Sequence, residues 1–170
     1  HYGINTQLIE EKISKRTRCI IPVHLFGMPC QMDQVMKIAR QYDLKVIEDS
    51  AETMFAKFDN QVVGSIGDIG CFSTYVAHIL TTGVGGLITT SNAEYAKTIR
   101  SLINHGRDTK YISIDDGKGK TPEHLKEIIE IRYSFNHCGH SFRVTELEGA
   151  LGLAQLEDWQ WNISNRQKNA

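Results

Sequence analysis

No run in this sequence approaches the roughly 18 consecutive apolar residues that a membrane-spanning helix needs, and no block of one charge sign stands out. Its 19 lysines and arginines against 20 aspartates and glutamates leave a formal net charge of −1. There is therefore no electrostatic footprint for nucleic acid or an anionic membrane surface. Cysteine is sparse: Cys19, Cys30, Cys71 and Cys138 stand far apart with no C-x-x-C pair, which argues against a zinc ribbon, a redox dithiol or a disulfide framework. With no basic-then-apolar leader pattern at the N-terminus, the setting read from the sequence is a reducing cytoplasm. The G-x-G-x-x-G and G-x-x-x-x-G-K-[ST] patterns are also missing, so neither a dinucleotide fingerprint nor a nucleoside-triphosphatase loop is expected. His137-Cys138-Gly139-His140 crowds three potential ligands into four residues with no second cluster to complete a tetrahedral site, so no metal is expected there.

What is present is a globular composition, 41% hydrophobic and 23% charged, enough for one core. The apolar run Cys19 to Gly27, interrupted by Pro22, reads as a buried strand. Met32, Val35, Met36, Ile38 and Ala39 recur at helical spacing and lead to a second apolar run, Leu44 to Glu48, so the three form a βαβ unit. Two more strands are expected over Asp68–Tyr75 and Gly86–Thr90, and a hairpin over Phe55–Val63. A helix is expected over Asn92–Asn104, capped by Ser91 or Asn92, then a polar loop over Arg107–Lys120, and one or two closing helices over Thr145–Gln167. The alternation predicts an α/β fold of three layers, a mostly parallel sheet with helices on both faces. The chain opens at His1 without a methionine and closes at Ala170 inside a helical stretch, so it reads as a piece of a longer protein.

In such folds ligands sit at the carboxyl ends of the strands, here Val23–Gly27, Ile47–Glu52 and Phe72–His78. Glu48-Asp49 puts carboxylates at the tip of a buried strand, where a charge needs a partner. Asp49 suits either a sheet-end ion pair or the protonated ring nitrogen of a bound cofactor. Ser73 and the turn Thr81-Thr-Gly-Val-Gly-Gly86 offer hydroxyls and amides that suit a phosphate or simply make a tight turn. His24 reads as a hydrogen-bonded core histidine.

The ordered set Val23-His-Leu-Phe-Gly27, Glu48-Asp-Ser-Ala51, Val63-Gly-Ser-Ile-Gly-Asp-Ile-Gly-Cys-Phe-Ser73, Thr81–Gly86, Asn104-His-Gly106, Gly139-His-Ser-Phe-Arg143 and Glu148–Gln155 resembles the DegT/DnrJ/EryC1/StrS family of sugar aminotransferases and dehydratases. The resemblance implies the large domain of a fold-type I enzyme that uses pyridoxal 5′-phosphate or pyridoxamine 5′-phosphate on a nucleotide-diphosphate-linked keto sugar. It also implies a homodimer with shared active sites. Residues 1–158 would form the cofactor-binding large domain, its N-terminal part and upstream phosphate loop lying before residue 1. Residues 159–170 would start a helix leading toward a C-terminal small domain.

By the same resemblance Asp49 pairs with the pyridine nitrogen, Ser73 holds the cofactor phosphate, and Glu52 stands beside the ring where the family often has Gln or His. Ser141 takes the place of an asparagine that reaches toward the partner subunit's cofactor. The family's Schiff-base lysine belongs five residues after the strand-end serine, and that position is His78. An imidazole has no primary amine with which to hold the cofactor aldehyde. Histidine at this position marks the sugar 3-dehydratase branch, which uses the aminated cofactor and a base, and histidine's ordinary pKa of about 6.5 suits proton transfer near neutral pH. The expectation is a 4-keto-6-deoxy sugar 3-dehydratase with His78 as base. The alternatives are a sugar-nucleotide aminotransferase of the same family and a non-catalytic homologue that binds the cofactor. Lys57, the nearest lysine, is expected to be a poor substitute because it lies in the hairpin.

Overall fold

The computed structural model describes residues 2–108 and 119–169, which fall into two compact units, one of residues up to 91 together with 144 onward, the other of residues 92–143. The first unit holds the sheet: β1 (Cys19–Ile20), β2 (Lys45–Asp49), β5 (Ile69–Ser73) and β6 (Gly86–Thr89), hydrogen-bonded in the order β1-β2-β5-β6. β1, β2 and β5 run parallel and β6 pairs antiparallel with β5. This is the expected α/β fold with a mostly parallel sheet. The short hairpin of β3 (Lys57–Phe58) and β4 (Gln61–Val62) forms within the span expected for it.

The first expected strand is shorter than its apolar run. Pro22 has no N–H to give to a ladder, and regular pairing stops at Ile20. The segment still follows β2, since the Asp49 amide donates to the Pro22 carbonyl at 3.0 Å and the His24 amide to the Asp49 carbonyl at 2.9 Å. Between these strands runs α1 (Met32–Gln41), whose buried Met32, Val35, Ile38 and Ala39 form one stripe. That stripe packs with Ile9, Ile20, Leu44 and Val46 into the core. Asp43 ends the helix in the left-handed region (φ 50°), turning the chain so that the Leu44 amide reaches the Ala39 carbonyl at 2.8 Å. β2 begins one residue later.

The most consequential buried group is a carboxylate. Glu48 and His24 are both fully buried. His24 Nδ1 accepts the Cys30 amide at 2.9 Å, which fixes the ring proton on Nε2, 3.1 Å from Glu48 Oε2. Glu48 also accepts the amides of Gly64 (2.7 Å), Ile66 (2.7 Å) and Gly67 (2.6 Å). Burial alone would raise its pKa, but the bonds from His24, Gly67, Gly64 and Ile66 outweigh it and hold the carboxyl below its ordinary range. Gly64 is required for this arrangement: its φ is 82°, and a Cβ there would enter the Phe72 ring.

Closing the same unit, α4 (Glu146–Glu157) starts at a capping box between Thr145 and Glu148, and α5 (Trp159–Asn169) comes after Asp158. Two helices thus account for the expected one or two. In the second unit α2 (Ala93–Leu102) takes Asn92 as its cap, accepting from Glu94 and Tyr95. A further helix, α3 (Pro122–Arg132), was not among the expectations, although Thr121 and Pro122 carry its start signal, a hydroxyl cap on the His124 amide with proline in the first turn. The motifs at 104–106 and 139–143 meet here, with bridges Asn104 to Ser141 and hydrogen bonds from His105 and Phe142 across the gap. The polar loop expected over Arg107–Lys120 lies largely outside the described residues.

Glu48→Gln places an NH₂ where backbone amides already donate, leaving at least one buried donor unpaired, and is expected to destabilise the fold by roughly 1–3 kcal/mol, read as a lower urea midpoint at unchanged slope. Because the folded-state pKa of Glu48 lies below the unfolded value, its contribution is complete above the unfolded pKa of about 4.3 and is lost as pH falls through the lower folded value. Wild type should therefore lose stability on acidification across that window more steeply than Glu48→Gln; parallel curves for the two proteins contradict this.

Candidate active site

Strand alternation sends Glu48 inward and leaves its neighbour Asp49 half-buried at the carboxyl end of β2, opposite Cys71 of β5. Asp49 Oδ1 accepts the Ala51 amide at 3.2 Å, and its other oxygen has no protein partner among the described residues. Ser73 ends β5, half-buried; its Oγ accepts the Tyr75 amide at 3.2 Å, leaving the hydroxyl proton free to donate. Asp49 and Ser73 thus stand at the ends of adjacent strands, each with an unspent polar valence.

The chain from Ser73 to His78 then folds back in a turn closed by the His78 amide on the Tyr75 carbonyl at 2.9 Å. Threonines lock the glycine turn beyond it: Thr82 Oγ1 lies 2.7 Å from Thr74 Oγ1 and 2.8 Å from the Val84 carbonyl. The Thr82 hydroxyl is therefore a structural stitch and not a free phosphate ligand. Arg166, from α5, donates to the His78 carbonyl at 3.2 Å and pins the His78 turn from the other side. The Tyr75 ring stands edge-on to the imidazole at 6.2 Å between centroids.

His78 and Glu52 line one cavity of about 740 Å³, together with Phe26, Thr53, Lys57 and Arg166. Asp49 and Ser73 are outside its walls, at the strand ends that lead into the segments forming them. Two residues of those walls carry buried polar atoms with no partner among the described residues, His78 Nδ1 and Thr53 Oγ1. Such atoms each cost roughly 1–3 kcal/mol until a ligand or water satisfies them. Lys57, expected to be a poor substitute for the family's lysine because it lies in the hairpin, is one of the residues that line this cavity. Ser141 belongs to the second unit, where its exposed hydroxyl accepts from Arg143 at 3.5 Å. His137 Nδ1 lies 3.0 Å from Ser101 Oγ.

Phe26, Thr53 and Arg166 were missed in the sequence. Arg166 carries no local signal, since it meets His78 across 88 positions. Phe26 had one, the Phe-Gly pair. Leu25–Met28 is a turn closed by the Met28 amide on the Leu25 carbonyl at 2.9 Å, with both central residues left-handed, Phe26 at φ 53° and Gly27 at φ 79°. Glycine takes that conformation freely, whereas Phe in it costs about 1–2 kcal/mol. Glu52 Oε2 holds the strained residue by accepting its amide at 2.8 Å.

Comparison with known proteins is decisive at one level. All of residues 1–170 match the DegT/DnrJ/EryC1/StrS aminotransferase family. The chain belongs to that family. It is 35% identical over 167 residues to the GDP-perosamine synthase of Caulobacter vibrioides, covering 98% of this chain and 40% of that protein. It is 30% identical over 173 residues to a dTDP-4-dehydro-2,6-dideoxy-D-glucose 3-dehydratase from Saccharopolyspora spinosa, covering 99% of this chain and 37% of that one. The solved structure of the E. coli GDP-4-keto-6-deoxy-D-mannose-3-dehydratase with bound hydrated PLP superposes with a TM-score of 0.82 at 29% identity, over 98% of this chain and 42% of that chain. The chain thus spans about two fifths of the length of the relatives it matches.

If the Glu52 carboxylate holds the Phe26 turn, Glu52→Ala should speed hydrogen exchange at the Phe26 amide by about tenfold, the equivalent of a net bond of about 1.4 kcal/mol, while Glu52→Gln, which keeps an acceptor, stays near wild type. NMR exchange rates that rise equally in both variants would assign the turn's order to something else.

Proposed function

We propose that this chain carries the cofactor-binding part of a pyridoxal 5′-phosphate or pyridoxamine 5′-phosphate enzyme of nucleotide-sugar biosynthesis, and that the reaction is 3-dehydration of a 4-keto-6-deoxy sugar nucleotide with His78 as base. The observation that carries the reading is His78 itself: it stands five residues after the strand-end Ser73, and lines the cavity beside Glu52 with one ring nitrogen buried and unpartnered. The family places its covalent lysine there, and histidine cannot fill that role.

The residues present fit the cofactor. Asp49 has a free carboxylate oxygen for a protonated pyridine nitrogen, Ser73 a free O–H for a phosphate oxygen, and Thr53 and His78 buried polar atoms without protein partners. When bound, the cofactor supplies an electron sink and, in its aminated form, an amine for the sugar's keto group. The chain's own work is positional and protic. Asp49 keeps the ring nitrogen charged, Ser73 and, from the partner subunit of a homodimer, Ser141 bind phosphate, and the His78 imidazole takes up and returns a proton. Arg166 and the Tyr75 turn keep the imidazole at the cavity wall, so the proton acceptor is positioned before substrate arrives.

One observation favours a second reading within the family. Lys57 lines the same cavity, and a lysine there would offer the primary amine that an aminotransferase needs. Both chemistries occur among the relatives by name. The helix break between α4 and α5 is, in either case, read as the passage to a C-terminal domain.

Borohydride separates the two. Treating the full-length protein loaded with pyridoxal phosphate should leave no covalent cofactor by mass spectrometry, and His78→Lys should acquire one. His78→Asn should keep the cofactor and lose roughly 10²–10⁴-fold in turnover. A reduced adduct on Lys57 of the wild-type protein overturns the dehydratase reading in favour of the aminotransferase, and unchanged turnover in His78→Asn removes His78 as base.

A further inference from the structure

The Phe26 turn is held against its own backbone preference, and nothing in the fold's interior gains from it. The side chain is 76% exposed, and its ring contact is edge-on, at 6.4 Å between centroids, to Tyr2, itself 88% exposed. A bulky residue kept in the left-handed region is a sign of function when its surroundings over-determine it. Here they do: on one side His24 is locked to Glu48 and to the Cys30 amide, and on the other Glu52 takes the Phe26 amide at 2.8 Å. The strain would vanish with glycine, asparagine or aspartate, the residues this turn type favours. An exposed aromatic face is what the chain keeps in exchange.

Phe26 lines the cavity that also holds His78 and Arg166, as well as the neighbouring one walled by Tyr2 and Met28. Arg166 spends one N–H on the His78 carbonyl, and a guanidinium has further donors arranged for an oxyanion. The cavity therefore offers a flat apolar platform, a cationic fork and an imidazole within one volume of about 740 Å³, room enough for a ligand of drug-like size or larger. We infer that Phe26 is the stacking platform for the nucleobase of the substrate and that Arg166 takes its diphosphate, which leaves the sugar at His78. This rests on the reading that the substrate is a nucleotide-linked sugar and adds to it the residue that recognises the base. The ring tolerates any base by its face, so Phe26 contributes affinity for nucleotides as a class, and discrimination among bases falls to other groups.

The test is equilibrium binding by calorimetry to the full-length protein loaded with pyridoxamine phosphate, using GDP, dTDP, UDP, CDP and inorganic pyrophosphate as probes. Phe26→Gly should weaken whichever nucleoside diphosphate binds wild type by roughly 5- to 150-fold, the range of one base–aromatic stack, and leave pyrophosphate affinity unchanged. Its melting temperature should hold or rise, because glycine relieves the turn. Phe26→Trp should bind the nucleotide at least as tightly as wild type. Arg166→Gln should weaken nucleotide and pyrophosphate alike. A Phe26→Gly protein that binds the nucleotide as wild type does, or that loses nucleotide and pyrophosphate equally, overturns the platform, as does a lowered melting temperature with unaltered affinity, which makes the ring structural. Wild-type protein that binds none of GDP, dTDP, UDP and CDP overturns the nucleotide-sugar reading itself, and the platform with it.

Discussion

Everything at the strand ends of the first unit is built around one desolvated charge. Glu48 is sealed from water, and an unpaired carboxylate in that position would be prohibitively unfavourable. It is tolerable because its oxygens are met by four donors, His24 Nε2 and the amides of Gly64, Ile66 and Gly67. Those donors come from two separate stretches of chain. The carboxylate therefore joins the segment after β1 to the loop before β5, through the end of β2. Loss of the charge would loosen three strand ends together.

The site residues are arranged by that junction. Asp49 is the next residue along β2 and, by the two-residue period of a strand, must point away from the Glu48 pocket. Its backbone is clamped by Pro22 and His24, and the same His24 precedes the Phe26 turn. Glu52 lies on the segment leaving β2 and reaches back to the Phe26 amide. Two acidic residues joined by one peptide bond thus have opposite duties: the charge of one is fully hydrogen-bonded by the fold, and the other keeps an oxygen without a partner among the described residues.

Local rules account for much of what was legible in the sequence. The stripe Met32, Val35, Ile38 and Ala39 predicts α1, the apolar runs predict β2 and β5, and the alternation predicts a mostly parallel sheet. Pro22 marks a weakness in the first strand, and it is where regular pairing ends. The α3 helix was legible too, since Leu125, Ile128 and Ile129 recur at helical spacing and Thr121-Pro122 announces its start, yet it was not among the expectations. What local rules do not contain is convergence between distant segments. Lys57 looks remote because a hairpin carries it, yet the tertiary fold turns that hairpin toward His78. Arg166 has nothing in its own helix to mark it, and its partner is a backbone carbonyl, a group every residue has. Thr53 is an ordinary buried threonine until the absence of a partner for its hydroxyl is seen.

The loop that carries His78 is fixed without any help from the His78 side chain. From Thr74 to Gly85 the loop is tied by main chain and threonines: the Thr74 amide to the Gly85 carbonyl at 3.1 Å, the Thr82 amide to the Thr74 carbonyl at 2.9 Å, and the two hydroxyls to each other. At position 78 itself the backbone is fixed through its amide and its carbonyl, by Tyr75 and Arg166. None of these bonds involves the side chain. Position 78 is therefore held by groups indifferent to the residue that occupies it, and the side chain it carries lines the cavity without anchoring the loop.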